Sequence, residues 1–129
     1  MSKKECLVPI IDRTRQNEAF RDEVITGQES QLVLMTLQPG DEIGAEVHGD
    51  HDQILVFVEG EGEAIIDEET MPVKANDLVF VHAGVKHNFV NSGTGPLKLY
   101  TVYAPPEHSA GTRHETKAEA DAAEEHHSH

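Results

Sequence analysis

Four side chains in this sequence combine metal-ligating types with a spacing that could bring them together on neighbouring strands. Glu46 and His48 are two residues apart, so on a β-strand both would point to the same face. After a short turn, Gln53 opens the next apolar run, and antiparallel pairing would bring it beside the first two; His87 begins a later run. Carboxylates, imidazoles and amide oxygens all bind divalent first-row metals. The spacing alone leaves two interpretations open, a metal site and ordinary surface residues.

The spacing of these residues and of the glycines around them resembles that of the cupin family, which has two signature blocks. The positions that match the first block are Gly40, Glu46, His48, Gln53 and Gly60. The positions that match the second block are Asn76, His82, Gly84, His87 and Asn91. The resemblance implies a small cupin β-barrel, a double-stranded β-helix of the jelly-roll type.

The sequence departs from the usual blocks at four positions. Glu46 stands where many cupins have a first His, and Gln53 where they have Glu. Asn76 replaces a Gly, and His82 replaces a Pro. With the roles exchanged, the ligand types are similar to the Gln, His, Glu and His of phosphomannose isomerases. The resemblance therefore implies a divalent transition metal (Zn, Fe, Mn or Ni) held by Glu46, His48, Gln53 and His87.

Such a site predicts a metal-dependent enzyme that acts on a small polar metabolite. The reactions that we consider are isomerisation or ring-opening of a sugar or uronate, and oxygen-dependent cleavage. The alternatives are a non-catalytic module that binds a metal or a small molecule, and a structural oligomer with a vestigial pocket. No acid–base pair is evident, and residues 22–73 contain no Lys or Arg. The cations closest to the motifs are Lys86, Lys98 and Arg113.

The apolar pattern favours an all-β architecture. Short β-rich runs alternate with Gly, Pro and Asn turns, which is typical of a sandwich or barrel. The predicted strands cover residues 31–37, 54–58, 64–66, 78–81, 88–90 and 97–103. We expect one barrel domain over residues 1–115 and a short helix with a His-containing tail over residues 116–129. Thr116 and Glu119 form a capping box at the helix start, the helix runs through Glu125, and the tip at residues 126–129 is expected to fray.

The composition limits the possible partners. Ten basic and 24 acidic residues give a net charge of −14, which disfavours nucleic acids and anionic membranes. The single cysteine, Cys6, permits no internal disulfide and is assigned no role. We read no signal peptide and no membrane span, and we therefore expect a cytoplasmic location. A small-molecule substrate or ligand in the barrel and a second copy of the chain are the expected partners.

Several further side chains have alternative interpretations. Leu55 and Phe57 share the parity of Gln53 and are predicted to pack in the interior, and His51 is predicted at the rim of the barrel. His82 is either a surface turn residue or a titratable rim residue. Arg113 and His114 follow the last strand and could contact a substrate or a partner subunit. We predict a homodimer, because exposed sheet edges need cover and the apolar segment at residues 7–11 could pair with a neighbouring sheet.

Overall fold

A computed structural model describes residues 6–47 and 49–127, with side chains as far as residue 123. The elements in chain order are α1 (Ile10–Gln16), β1 (Arg21–Thr26), β2 (Gln31–Leu37), β3 (Asp52–Glu59), β4 (Glu61–Ile66), β5 (Glu69–Lys74), β6 (Leu78–Val81), β7 (His87–Val90), β8 (Leu97–Ala104), β9 (Arg113–His114) and α2 (Lys117–His127). The prediction of an all-β protein with a short C-terminal helix is confirmed.

The strands form two antiparallel sheets. The larger has the order β6-β3-β8-β2-β1-β9, and the smaller has the order β5-β4-β7. Neighbours in these sheets are often far apart in sequence, since β3 pairs with β8 and β1 pairs with β9. This topology places residues that are far apart in the sequence on neighbouring strands.

Both sheets contribute to a single apolar core. Leu55 and Phe57 on β3 are completely buried, as is Phe89 on β7. The rings of Phe57 and Phe89 lie 5.9 Å apart across the interior in a tilted arrangement. Each such side chain contributes about 1.5–3 kcal/mol on burial. The interior position predicted for Leu55 and Phe57 is confirmed.

Two turns require unusual backbone conformations. Asn76 has φ 80°, which agrees with the expectation that it substitutes for a glycine in a left-handed turn. Gly60 has φ 90°, and a Cβ atom there would lie 2.4 Å from the carbonyl oxygen of Pro96. Glycine is therefore required at position 60 for both its φ angle and its close contact.

The N-terminal apolar segment does not form the extended pairing segment that we expected. Ile10 and Ile11 lie in helix α1, where Asp12 in the first turn and Arg13 and Arg15 in the last complement the helix dipole. The helix is fixed to the barrel by Lys98 on β8, whose side chain is buried. Its Nζ donates to the carbonyl oxygens of Arg15 (2.7 Å) and Asn17 (2.9 Å) and to the carboxylate of Glu18 (3.2 Å).

Helix α2 packs against the barrel at its N-terminal end. The Thr116 side chain accepts from the backbone N–H of Glu119 (3.1 Å), as the capping box predicted. Lys117 donates to the carbonyl oxygen of Ile43 (3.1 Å), and Ala120 is buried against the core. The helix continues to His127, whereas Ser128 and His129 of the predicted frayed tip lie outside the described residues. No helix in the described part of the chain is long and apolar enough to cross a membrane.

Candidate metal centre and adjoining cavity

Glu46 and His87 are joined by a two-residue bridge outside the regular strands. The N–H of each donates to the carbonyl oxygen of the other, both at 2.9 Å. In an antiparallel pair, directly opposed residues project their side chains to the same face. The carboxylate of Glu46 and the imidazole of His87 therefore lie side by side.

The ring of His87 is oriented by a neighbouring carbonyl group. Its Nδ1 lies 2.9 Å from the carbonyl oxygen of Val85, which can only accept a hydrogen bond. Nδ1 therefore carries the proton, and the buried Nε2 presents a lone pair. A backbone carbonyl fixing the tautomer in this way is typical of metal-ligating histidines.

The amide of Gln53 is also fixed in one orientation. The hydroxyl of Thr101 donates to the carbonyl oxygen of Ile54 (2.9 Å), so it must accept at its contact with Gln53 Nε2 (3.0 Å). The Gln53 oxygen consequently points the other way. This oxygen is buried and has no hydrogen-bond partner among residues 6–47 and 49–127. A buried acceptor of this kind suits an ion as its partner.

Tyr103 lies beside Gln53 and near Glu46 of the two-residue bridge. It is the cross-strand partner of Gln53 on β8 and is almost completely buried. Burial raises the pKa of the Tyr103 phenol; the nearby Arg21 guanidinium lowers it, and the carboxylates of Glu46 and Glu107 raise it further. Glu46 thus lies close enough to Tyr103 to act on its charge.

The predicted ligand set is present only in part among the described residues. His48 lies outside them. No group of three His, Cys, Asp or Glu side chains within reach of one ion occurs in the described part of the chain. A metal site here therefore depends on the amide of Gln53 and on His48, in addition to Glu46 and His87. The donor types present, namely carboxylate, imidazole Nε2 and amide oxygen, fit a divalent first-row metal.

A polar cavity of about 320 Å³ adjoins this centre. Glu46 lines it together with residues that come from both ends of the chain. The remaining lining residues are Arg21, Glu107, His108, Ser109, Thr112, His114, Ala120 and Ala123. Of these, His114 is one of the two residues for which the sequence left open a contact with a substrate or a partner subunit. Arg21 and His108 were not identified from the sequence, since both lie outside the two motif blocks and carry no local pattern.

The three cations that the sequence analysis considered either make contacts elsewhere or are exposed. Arg113 pairs with Asp22 (2.9 Å) and Glu115 (2.6 Å), and the salt bridges raise the pKa of its guanidinium. Lys98 holds α1, and Lys86 is exposed. None of these three predicted cations lines the cavity.

Two histidines near the motifs lie at the surface or rim. His51 Nδ1 is 2.7 Å from the carboxylate of Asp50, and its Nε2 is 3.2 Å from that of Glu107. His82 is exposed and its ring lies 4.8 Å from that of Phe80. His51 thus contacts carboxylates and His82 contacts an aromatic ring, and both contacts are structural.

Residues 33–103 match the cupin domain family, and the chain belongs to this family. YrkC of Bacillus subtilis (strain 168), an uncharacterised protein, is 41% identical over 128 residues, which span 95% of this chain and 69% of that protein. The crystal structure of BH2720 from Bacillus halodurans superposes with a TM-score of 0.88 at 42% identity, covering 90% of this chain and 92% of that one.

A more distant neighbour has a predicted activity. The crystal structure of a predicted oxalate decarboxylase from Thermotoga maritima has a TM-score of 0.58 to this chain at 26% identity. The similarity covers 61% of this chain and 69% of that one. The double-stranded β-helix inferred from the motif spacing is thus the fold of this protein.

Proposed function

We propose that this cupin is a metal-dependent enzyme that acts on a small polar metabolite. Its metal, a divalent transition ion (Zn, Fe, Mn or Ni), would be held by Glu46, His48, Gln53 and His87. The observation that carries the proposal is the buried oxygen of Gln53, which has no hydrogen-bond partner among the described residues. Leaving such a group unsatisfied costs about 1–3 kcal/mol. An ion at this position would remove that cost.

Two further features support the same centre. The tautomer of His87 places its lone pair on Nε2, and the bridge places the Glu46 carboxylate on the same face. One carboxylate with neutral partners leaves a divalent ion with residual positive charge, which would polarise a carbonyl or hydroxyl group of the substrate.

The protein's own residues would bind and orient the substrate. Tyr103 remains protonated at neutral pH, because burial raises the pKa of its phenol, so it is suited to donate a hydrogen bond. The cavity lined by Glu46 gives a substrate of a few carbon atoms access to the centre. The proposed reactions are isomerisation or ring-opening of a sugar or uronate, and oxygen-dependent cleavage.

Metal analysis of protein purified without added metal tests the site. We expect close to one transition-metal ion per chain in the wild type and little in His87→Ala. His82→Ala is the matched control, since it removes an exposed histidine from the same segment and should leave the metal content unchanged. Circular dichroism checks that each variant folds. Wild-type protein without metal, or His87→Ala with full metal, would refute the site.

Turnover separates an enzyme from a binding module. Metal-free protein is reloaded with Zn, Fe, Mn or Ni in turn and assayed against sugars, uronates and small hydroxy acids, with oxygen supplied. We expect turnover with one metal and none in His87→Ala. Full metal content without turnover of any substrate by any of the four metal forms would favour the non-catalytic alternative.

A further inference from the structure

The side chain of Arg21 is a buried cation without a counter-ion in the part of the chain that the structure describes. Arg21 is only 9% exposed, and no carboxylate lies within 4.0 Å of its guanidinium among the described residues. Its Nε is buried and has no hydrogen-bond acceptor in that part of the chain. Burial of an unpaired guanidinium is costly, so buried arginines are normally paired with an anion.

The neighbours of Arg21 orient the guanidinium and do not neutralise it. Its NH1 group donates to Nδ1 of His114 at 3.2 Å. Because that nitrogen accepts, a neutral His114 carries its proton on Nε2. The ring of Phe20 lies 5.3 Å from the guanidinium carbon, a cation–π contact that offsets part of the desolvation. The charge therefore remains available to a ligand.

Arg21 lines the same cavity as Glu46. The cavity offers hydroxyl groups from Ser109 and Thr112, and its remaining polar walls are Glu107, His108 and His114. At about 320 Å³ it lies at the small end of the range for ligand pockets. A ligand held at Arg21 would thus be short, and its other end would reach toward the proposed metal centre.

We propose that Arg21 is the anion-binding residue of this cavity and that the natural ligand is a small carboxylate. The identity of the ligand as a small carboxylate substrate rests on the proposed function, because it names the substrate class of the metal centre. The planar guanidinium matches a carboxylate in two parallel hydrogen bonds. A phosphate is the poorer fit at Arg21, because it concentrates two charges on one group beside a single fixed cation, whereas a dicarboxylate places its second charge at the far end, toward the proposed metal centre.

Nuclear magnetic resonance on metal-free full-length protein tests the subsite independently of the metal. The ¹H–¹⁵N signal of the Arg21 Nε–H group is assigned by its loss in Arg21→Lys. We expect succinate to shift this signal to saturation, and its neutral diamide to leave it unmoved. Arg21→Gln should weaken succinate binding by about tenfold or more, because a charge-assisted pair is lost. Arg113→Gln removes an exposed arginine and should bind succinate as the wild type does.

Three results would overturn the inference. They are no shift of the Arg21 signal with succinate, equal succinate affinity in Arg21→Gln and wild type, and a shift with inorganic phosphate but not with succinate. The wild-type titration decides the question even if Arg21→Gln fails to fold. Metal content is measured on the same samples. Succinate binding through Arg21 in a protein that holds no metal would retain the carboxylate subsite and reject the proposed function.

Discussion

The amide of Gln53 illustrates how one residue type changes what a site can do. A glutamate at this position would add a second carboxylate beside Glu46, whereas the glutamine is neutral and is held by Thr101 with its oxygen turned away. The amide group therefore lowers the negative charge of the centre without losing an oxygen donor. This choice makes the ligands unequal in strength.

That inequality predicts an order of metal loss. His48→Ala and His87→Ala remove strong nitrogen donors and should abolish stoichiometric metal. Glu46→Gln removes the charge of the carboxylate and should weaken binding substantially, while Gln53→Ala should be mildest, because water can replace an amide oxygen. Metal analysis of the four variants, with circular dichroism as the check on folding, measures the order. Retention of metal in His87→Ala with loss in Gln53→Ala would contradict the ligand assignment.

The buried phenol of Tyr103 is expected to lower the free energy of unfolding in alkali. Burial raises the pKa of its phenol in the folded protein, so the folded state keeps a proton that the unfolded chain releases above about pH 10. The stabilisation is complete below that pH and declines above it by about 1.4 kcal/mol per pH unit. Urea unfolding from pH 8 to pH 11 should show a smaller decline in Tyr103→Phe than in wild type. Tyr100→Phe, on the same strand, is the control, and equal declines in Tyr103→Phe and wild type would refute the effect.

At the scale of elements, the strands with regular apolar patterns could be predicted and the polar ones could not. β2 is an almost continuous buried run that includes Val33, Leu34 and Met35, and β8 buries Leu97 and Leu99, so their β-rich apolar composition identifies both as strands. β1 begins Arg21-Asp22-Glu23 and β5 is mostly exposed, and neither has the alternation that identifies a strand. The apolar segment at residues 7–11, which we expected to pair with a neighbouring sheet, instead leads into α1 at Ile10, because short apolar runs are ambiguous between helix and strand.

The site was only partly predictable for a related reason. Glu46 and His87 could be paired from the motif spacing, since the blocks encode which segments lie together. Arg21 joins the cavity only because β9 pairs with β1, and β9 is two residues long with no apolar pattern. No local signal in the sequence encodes that pairing.

The contacts of Lys98 are expected to hold α1 against the barrel. Its buried ammonium group satisfies two carbonyl oxygens at the end of α1. Lys98→Met keeps the apolar stem but leaves those acceptors unpaired, which should cost about 2–4 kcal/mol. Urea denaturation measures the loss, and hydrogen exchange should show faster opening of α1. Lys74→Met, which removes an exposed lysine, should change neither, and an unaltered Lys98→Met would show that the contact is dispensable.

For the whole molecule we predict a homodimer. The strands β6 and β9 end the larger sheet, and β5 and β7 end the smaller. Leu78 and Phe80 on β6 are 58% and 44% exposed, which favours cover by a second copy at that edge. Light scattering at micromolar concentration should give a mass near twice 14.2 kDa. A mass of 14.2 kDa would exclude the dimer.

The contact between Arg21 and His114 joins positions 93 residues apart in sequence. The cavity is therefore lined by β1 and β9 at one edge of the larger sheet, by the segment that precedes β9, by Glu46 and by α2, while the apolar core draws mainly on the strands of both sheets. Peripheral segments open at lower free energy than the central strands of a sheet. Under mild denaturant the pocket should be lost while the barrel persists, so ligand binding is the property that fails first, well before circular dichroism records any unfolding.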